Sequence, residues 1–284
     1  TDSDVKSVEL SIKSGWLAPG DYSKKFEELF AKFTGSPYSA TVSNCTTGLH
    51  LSCMAAGFGK EDEVIVPAQT HTATAHAVEF TGAKAVFVDV DEISGNMLVS
   101  ELRKKISNKT KGVIPVHMAG FACEIYEIKK LCKENNLILI EDCAHAIGTQ
   151  FNDVHVGNYG ITGCFSFYPT KQITTGEGGM VISNDKNIIE NIKKLKAFGI
   201  DTPPELRKKP GFYDVQGLGN NYRMTDFQAA LGVGQIERYD KNLARRKDNA
   251  KLYCDLLKGI TGISFLDYSE HSSYFLFQII LENH

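Results

Sequence analysis

Lys171 is the residue whose position best suits it for chemistry. It follows an apolar run at residues 164–168 and Pro169, and a turn rich in Gly and Thr comes after it. Because Pro cannot donate to a sheet ladder, the run predicts a strand that ends at Pro169. A lysine just past a buried strand lies near apolar surface, which can lower its pKa and make the amine nucleophilic toward carbonyl groups. A hairpin loop with one solvated lysine is the alternative interpretation.

A second candidate lies at residues 43–48, between a predicted strand and a predicted helix. The free N–H groups and the dipole at the start of a helix favour a phosphate group. Ordinary N-capping by Ser43 or Thr46 explains the same residues without any ligand.

Further polar side chains follow other predicted strands. His71 offers a flat ring that could stack on a cofactor ring, although a packed or capping role also explains it. Asp142 ends the strongest apolar strand of the sequence, where it could keep a ring nitrogen protonated or simply be a solvated strand end. His145 follows three residues later and would face the same cleft. Asn221 lies just ahead of a predicted helix, where a turn is the simpler interpretation.

These groups fall at the carboxyl ends of predicted strands, where parallel sheets bind ligands. Together they supply a phosphate cradle, a ring-stacking group, a carboxylate for a ring nitrogen and a lysine that can bind a carbonyl carbon. Pyridoxal phosphate needs that set of groups, because the cofactor supplies the chemistry and the protein holds and tunes it. The sequence therefore predicts a pyridoxal phosphate site.

The composition of the 284 residues is ordinary for a globular protein, with 42% hydrophobic and 23% charged residues. A net charge of -3 gives no reason to expect nucleic acid or an anionic membrane as a partner. The apolar runs are too short to cross a bilayer, and residues 1–13 do not resemble a signal peptide. The seven cysteines are widely spread, which predicts reduced thiols in a cytoplasmic protein and no metal site.

The order of elements predicts an α/β fold. Continuous apolar strands alternate with amphipathic helices, a pattern typical of a mainly parallel sheet covered on both faces. The strands are expected at 38–42, 63–66, 83–88, 112–116 and 137–140, and the helices at 21–33, 46–58, 70–80, 99–106 and 124–135. A small hairpin at 151–159, a helix at 186–199, a long loop at 202–219 and helices at 225–235 and 238–258 follow.

Two domains are expected. Residues 1–237 would form a large cofactor-binding domain, and residues 238–284 the start of a small C-terminal α/β domain. Residues 273–281 read as a buried strand at the very end of the sequence, so we expect the small domain to be truncated.

The sequence resembles the DegT/StrS family of nucleotide-sugar aminotransferases, which have the aspartate aminotransferase fold (fold type I). The resemblance extends from about residue 14 to residue 275, and its most specific segments are residues 86–91, 115–117, 141–146, 165–179 and 221–232. It implies a three-layer sandwich around a mainly parallel mixed sheet.

The resemblance also implies roles for the candidate residues. Lys171 would bind the cofactor covalently and transfer protons, and Asp142 would pair with the pyridinium nitrogen. His145 would lie near the phenolic oxygen, where many members have Gln, and His71 would take the ring-stacking position. The phosphate would be held by side chains and backbone groups of Cys45, Thr46, Thr47 and Ser166.

The resemblance further implies a homodimer, because Asn221 would reach the phosphate bound to the partner subunit. Cys45 stands where the family usually has Gly, which predicts a bulkier cradle. The implied reaction moves an amino group from L-glutamate to a keto-sugar nucleotide, for amino sugars of cell-surface polysaccharides or glycoconjugates. A sugar dehydratase of the same family is disfavoured, because those relatives have His in place of Lys171. A non-catalytic protein that binds pyridoxal phosphate is the remaining alternative.

Overall fold

The computed structural model describes residues 1–202, 207–209 and 211–282. In chain order the elements are α1 (Asp2–Lys13), α2 (Asp21–Thr34), β1 (Tyr38–Val42), α3 (Cys45–Ala55), β2 (Glu63–Pro67), α4 (Thr72–Glu79), β3 (Lys84–Val88), α5 (Val99–Lys105), β4 (Thr110–Val113), α6 (Ile125–Glu134), β5 (Ile138–Asp142), β6 (Gln150–Phe151), β7 (Val154–His155), β8 (Thr162–Ser166), β9 (Gly179–Ser183), α7 (Lys186–Leu195), α8 (Asp226–Glu237), α9 (Tyr239–Leu257), β10 (Ile263–Ser264) and β11 (Ile280–Leu281).

Seven strands form one sheet in the order β1-β9-β8-β5-β4-β2-β3. Parallel pairing joins β3, β2, β4, β5 and β8, whereas β9 is antiparallel to both β8 and β1. The predicted α/β fold with a mainly parallel mixed sheet is therefore confirmed. Strands β8 and β9 are buried at every position, as expected for strands covered on both faces.

Alternate residues of β9 show the layers on the two faces of the sheet. Val181 belongs to an apolar cluster with residues of α3, α4 and α7. Its neighbours Met180 and Ile182 belong to a second cluster, with Phe26 and Phe30 of α2 and residues of α8. A third cluster packs α5 and α6 against β2, β3, β4 and β5. Because side chains alternate along a strand, these clusters confirm the predicted three-layer sandwich.

Apart from shifts of a few residues at the ends of several elements, two elements differ from the sequence prediction. Helix α1 was not predicted, and it begins with a capping box between Thr1 and Asp4. The strand predicted at residues 273–281 is wrong, since only Ile280–Leu281 is a strand and it pairs with Ile263–Ser264. Tyr274 has φ 47°, which breaks an extended chain, and the N–H of Ser273 bonds to the Gly120 carbonyl in a loop.

The last part of the described chain lies outside the seven-stranded sheet. Helix α9 leads to the small β10–β11 pair, and the domain boundary at residue 237 stays a prediction. Residues 203–206 and 210 of the predicted long loop, and residues 283–284, lie outside the described residues. Within the described ranges no helix combines the length and the apolar character that crossing a membrane requires.

Candidate active site

The site lies at the carboxyl ends of β1 and β8, which flank the start of β9. Val42 and Ser166 both pair with Gly179, the first residue of β9. A Cβ atom on Gly179 would come within 2.6 Å of the carbonyl carbon of Asn44 and 2.8 Å of the Cys45 nitrogen. Glycine is therefore needed here, because it lets the sheet approach the start of α3 closely.

The start of α3 leaves backbone donors free. Asn44 is the N-cap, and its Oδ1 accepts from the Thr47 N–H at 2.9 Å. The alternative interpretation, capping by Ser43 or Thr46, is wrong in its residue, because Asn44 caps the helix. The N–H groups of Cys45 and Thr46 make no hydrogen bond to the described part of the chain. Free N–H groups at the start of a helix can bind an anion, whereas the Thr47 N–H is already used.

Two hydroxyl groups lie beside these donors. The Ser166 side chain is buried at the end of β8, and within the described residues its oxygen accepts only a long hydrogen bond, 3.4 Å from the Tyr168 nitrogen. The Thr46 side chain is half-buried in the first turn of α3. The structure thus brings together the residues predicted to hold a phosphate, and their roles stay predictions.

Asp142 ends β5 as a buried carboxylate. Its Oδ2 accepts from the Thr74 hydroxyl at 2.8 Å, and its Oδ1 accepts from the Ala144 N–H at 3.0 Å. Burial raises the pKa of Asp142, while these hydrogen bonds and the nearby charge of Lys171 oppose the rise. The interpretation as a solvated strand end is wrong, because the carboxylate is fixed inside the protein.

Lys171 lies in the loop between β8 and β9, and its side chain is half-buried. Its N–H donates to the Tyr168 carbonyl at 2.9 Å, and its Nζ lies 4.5 Å from the centre of the Phe275 ring. Burial lowers the pKa of Lys171, and the charge of Asp142 partly opposes this. The predicted low-polarity surroundings of the lysine are therefore present.

His145 presents an unused polar atom next to Lys171. Its ring stacks on Phe275 with centroids 4.3 Å apart and planes 22° apart. Burial, together with the charges of Lys171 and His71, lowers the pKa of His145 to about 3. The ring is therefore neutral near pH 7. Its Nδ1 atom is buried and has no hydrogen-bond partner within the described residues.

His71 and Asn221 are both exposed. His71 is the N-cap of α4, and its Nδ1 accepts from the Ala73 N–H at 3.2 Å, which confirms the alternative capping role. Its role as a ring-stacking residue stays a prediction. Asn221 accepts a hydrogen bond from Arg223 Nε at 3.0 Å, and its predicted contact with a partner subunit also stays a prediction.

The sequence reasoning missed residues that support this site. Gln172 donates from Nε2 to the His145 carbonyl at 2.7 Å and to Ser273 Oγ at 3.1 Å. Phe275 covers both Lys171 and His145. The position of Gln172 directly after Lys171 could have signalled its role. Nothing local marks residues 273–275, since they reach the site only through the tertiary fold.

The chemistry of the free groups fits pyridoxal phosphate. Unpaired N–H groups at the start of α3 suit the phosphate, and Asp142 suits a protonated ring nitrogen. The unpartnered Nδ1 of His145 suits a hydroxyl group on the ring, and the desolvated amine of Lys171 suits an aldehyde.

Comparison with known proteins agrees with this fit. Residues 1–284 match the DegT/DnrJ/EryC1/StrS aminotransferase family. GDP-perosamine synthase of Vibrio cholerae is 41% identical over 279 residues, covering 98% of this chain and 74% of that protein. Spr1654 of Streptococcus pneumoniae, described as a sugar aminotransferase and solved in its PMP form, has a TM-score of 0.94 at 26% identity. That alignment covers 100% of this chain and 77% of Spr1654.

A further solved structure is similar to this chain but comes from an enzyme of another reaction class. It is a variant of the GDP-4-keto-6-deoxymannose-3-dehydratase ColD with bound GDP-perosamine, with a TM-score of 0.92 at 27% identity. The alignment covers 100% of this chain and 78% of ColD. The chain belongs to the DegT/DnrJ/EryC1/StrS aminotransferase family, has fold type I, and uses pyridoxal phosphate as its cofactor.

Proposed function

We propose that this member of the DegT/DnrJ/EryC1/StrS family transfers an amino group from L-glutamate to the keto group of a sugar linked to a nucleoside diphosphate. The observation that carries the proposal is the half-buried amine of Lys171 beside the fixed carboxylate of Asp142. The similarity to GDP-perosamine synthase supports a nucleotide sugar as the acceptor. The amino sugar formed would enter a cell-surface polysaccharide or glycoconjugate.

In this proposal each candidate residue holds a different part of the cofactor. The N–H groups of Cys45 and Thr46, together with the hydroxyls of Thr46 and Ser166, bind the phosphate. Thr47 contributes by holding Asn44, the cap of the same helix. His71 covers one face of the ring, and His145 donates to or accepts from the ring hydroxyl through Nδ1.

The reaction then depends on where these residues hold protons. Pyridoxal phosphate supplies, when bound, a ring that accepts the electron pair released at the substrate carbon. Lys171 Nζ would take the proton from that carbon and deliver it to the former aldehyde carbon of the cofactor, acting first as base and then as acid, and its lowered pKa increases the fraction of free amine. Asp142 keeps the proton on the ring nitrogen. The neutral His145 adds no positive charge beside Lys171.

Dehydration is the competing reaction, because the dehydratase ColD shares the fold. A transaminase must bind its cofactor again through a lysine amine at the end of each cycle, so it requires a lysine at this position. This chain has Lys171, which favours transamination.

A half-reaction screen tests the proposal. The protein loaded with pyridoxal phosphate is mixed with L-glutamate, and loss of the cofactor's visible absorbance is followed. Keto-sugar nucleotides that differ in base, sugar and keto position are then added, and the amino acceptor is the one that restores the absorbance. Lys171→Ala should lose both changes, whereas Lys130→Ala, an exposed lysine on α6, should keep them. Spectra that glutamate does not change, or full activity in Lys171→Ala, would contradict the proposal.

We also propose a homodimer whose sites are shared, with the partner's Asn221 completing the phosphate pocket. The exposed position of Asn221 supports this, since its side-chain oxygen accepts a hydrogen bond from Arg223 of its own loop and the rest of the side chain is accessible to a partner. Lys171→Ala and Asn221→Ala are each expected to be inactive. Subunits mixed at random should recover about a quarter of wild-type activity, because half the dimers carry one intact site. No recovery in verified mixed dimers would refute shared sites.

A cytoplasmic location completes the proposal. All seven cysteines are free and six of them are buried, as expected for a compartment that keeps thiols reduced. Cell fractionation with an antibody to the chain tests this, and recovery outside the cytoplasmic fraction would refute it.

A further inference from the structure

We propose that Thr74, supported by Thr70, is a positioning residue that fixes the Asp142 carboxylate for the ring nitrogen of the cofactor. The proposal rests on the function proposed above, because Thr74 would act only through Asp142 and its proposed contact with the cofactor ring. It adds a pair of hydroxyl groups on α4 and the loop before it to a site otherwise built at the ends of β1, β5 and β8.

The direction of the hydrogen bonds follows from the number of protons. The Thr74 hydroxyl donates its one proton to Asp142 Oδ2 at 2.8 Å. The Thr70 hydroxyl lies 2.7 Å from the Thr74 hydroxyl, so it must donate to it. The two threonines are four residues apart, and together they form a chain of donors that ends on the carboxylate. The Thr74 side chain is fully buried, so water does not replace this donor.

The Thr74 hydroxyl joins two distant parts of the chain. A helical threonine ordinarily returns its hydroxyl to a carbonyl of its own chain segment, three or four residues back. Thr74 instead donates to a side chain 68 residues away in sequence. The Ala144 N–H holds the other oxygen of Asp142 at 3.0 Å, so the plane of the carboxylate is fixed from two sides.

The charged and polar groups around Asp142 come from several elements. Lys171 approaches from the loop between β8 and β9, and His117 from the loop after β4. The Cys45 thiol on α3 lies 4.0 Å from Oδ1. Thr74 favours the ionised carboxylate, as a donor to a charged oxygen does. Loss of its hydroxyl should therefore raise the pKa of Asp142.

Three variants separate the hydroxyl from packing. Thr74→Val keeps the shape and removes the donor, Thr74→Ser keeps the donor, and Thr70→Val removes the second donor only. Thr74→Val should bind pyridoxal phosphate about 10- to 100-fold more weakly, the range expected for a lost hydrogen bond to a charged group. Thr74→Ser should stay within about threefold of the wild type, and Thr70→Val should lie between them.

A second measurement needs no cofactor. Isotope-edited infrared spectroscopy of the cofactor-free protein follows the protonated Asp142 carboxyl as the pH falls. In Thr74→Val that signal should appear about one pH unit higher than in the wild type, and in Thr74→Ser at the wild-type pH. A purely structural role for Thr74 would leave the signal unchanged and would affect the melting temperature alone.

The outcomes distinguish this proposal from the proposed function. Equal losses in Thr74→Val and Thr74→Ser, or an unchanged Asp142 titration in Thr74→Val, would refute the positioning role. If Asp142→Asn keeps full cofactor affinity and turnover, the role of Asp142 itself fails. If Thr74→Val does not fold, Thr70→Val still decides, because an unchanged titration there would refute the chain of donors.

Discussion

Substitution of Glu141 by Gln gives the sharpest test of how the site is held in place. Glu141 precedes Asp142 in β5, and its side chain is completely buried. One carboxylate oxygen accepts from the N–H groups of Tyr159 and Gly160, each at 2.7 Å. The other accepts from the Gly157 N–H at 2.7 Å and lies 3.1 Å from Nε2 of His117.

The size of the effect follows from counting donors. Gln replaces one oxygen by an NH₂ group, which would face two donors whichever way the amide is turned. His117 cannot change its tautomer without cost, because its Nδ1 already accepts from the Cys123 N–H at 3.2 Å. Two donors beside this buried side chain therefore lose their acceptor, at about 1–3 kcal/mol each. We expect Glu141→Gln to lower the free energy of unfolding by about 2–6 kcal/mol.

Thermal melting of the cofactor-free protein measures this effect. Each kcal/mol should lower the melting temperature by about 2–4 °C in a chain of this size. Glu134→Gln is the matched control, since Glu134 is exposed at the end of α6 and should change stability by no more than about 0.5 kcal/mol. If Glu141→Gln melted at the same temperature as Glu134→Gln, the assignment of four hydrogen bonds to Glu141 would be wrong.

Three further predictions concern the rest of the site and the core. Phe275→Leu removes the aromatic ring that stabilises the charged amine of Lys171, so the pKa of Lys171 should fall by about half to one and a half units. NMR of the cofactor-free protein measures this pKa, and Phe275→Tyr, which keeps a ring, should leave it unchanged. Gly179→Ala should weaken cofactor binding at least about tenfold in a spectroscopic titration, because its Cβ would meet Asn44 at 2.6 Å; Gly59→Ala, with open space around its Cβ, should not. Burial lowers the pKa of His155 to about 4, so the folded chain keeps it neutral while the unfolded chain takes up a proton below about pH 6.5. Stability should therefore fall by about 3 kcal/mol between pH 6.5 and pH 4 through this residue, and urea unfolding of His155→Gln should show a shallower acid loss.

The sequence predicted most of the sheet because its strands are continuous apolar runs. Such runs can pack only when both faces are covered, so their order along the chain implied the three layers. The positions of Asp142 and Lys171 followed from the same rule, since Asp142 ends a buried run and Lys171 comes shortly after one.

The elements that were missed depend on contacts between distant residues. Helix α1 has charged residues throughout. Its buried Asp4 pairs with Arg238, which lies 234 residues away in the sequence. The segment at residues 273–281 is apolar enough for a strand, but Ser273 bonds to Gly120 and Tyr274 turns the chain. Thr74 looked like an ordinary helical residue, because its partner Asp142 comes from another strand.

The direction of one strand explains why Lys171 lies in the site. Ligands bind at the carboxyl ends of parallel strands. A parallel connection after β8 would carry the chain back to the amino ends of the strands, away from the site. Strand β9 is instead antiparallel to β8, so the chain turns back directly at the carboxyl end of β8, where the site lies. The loop from 167 to 178 must therefore remain beside the start of α3 and the end of β5. A reversal of one strand thus keeps the lysine near the start of α3 and a buried carboxylate.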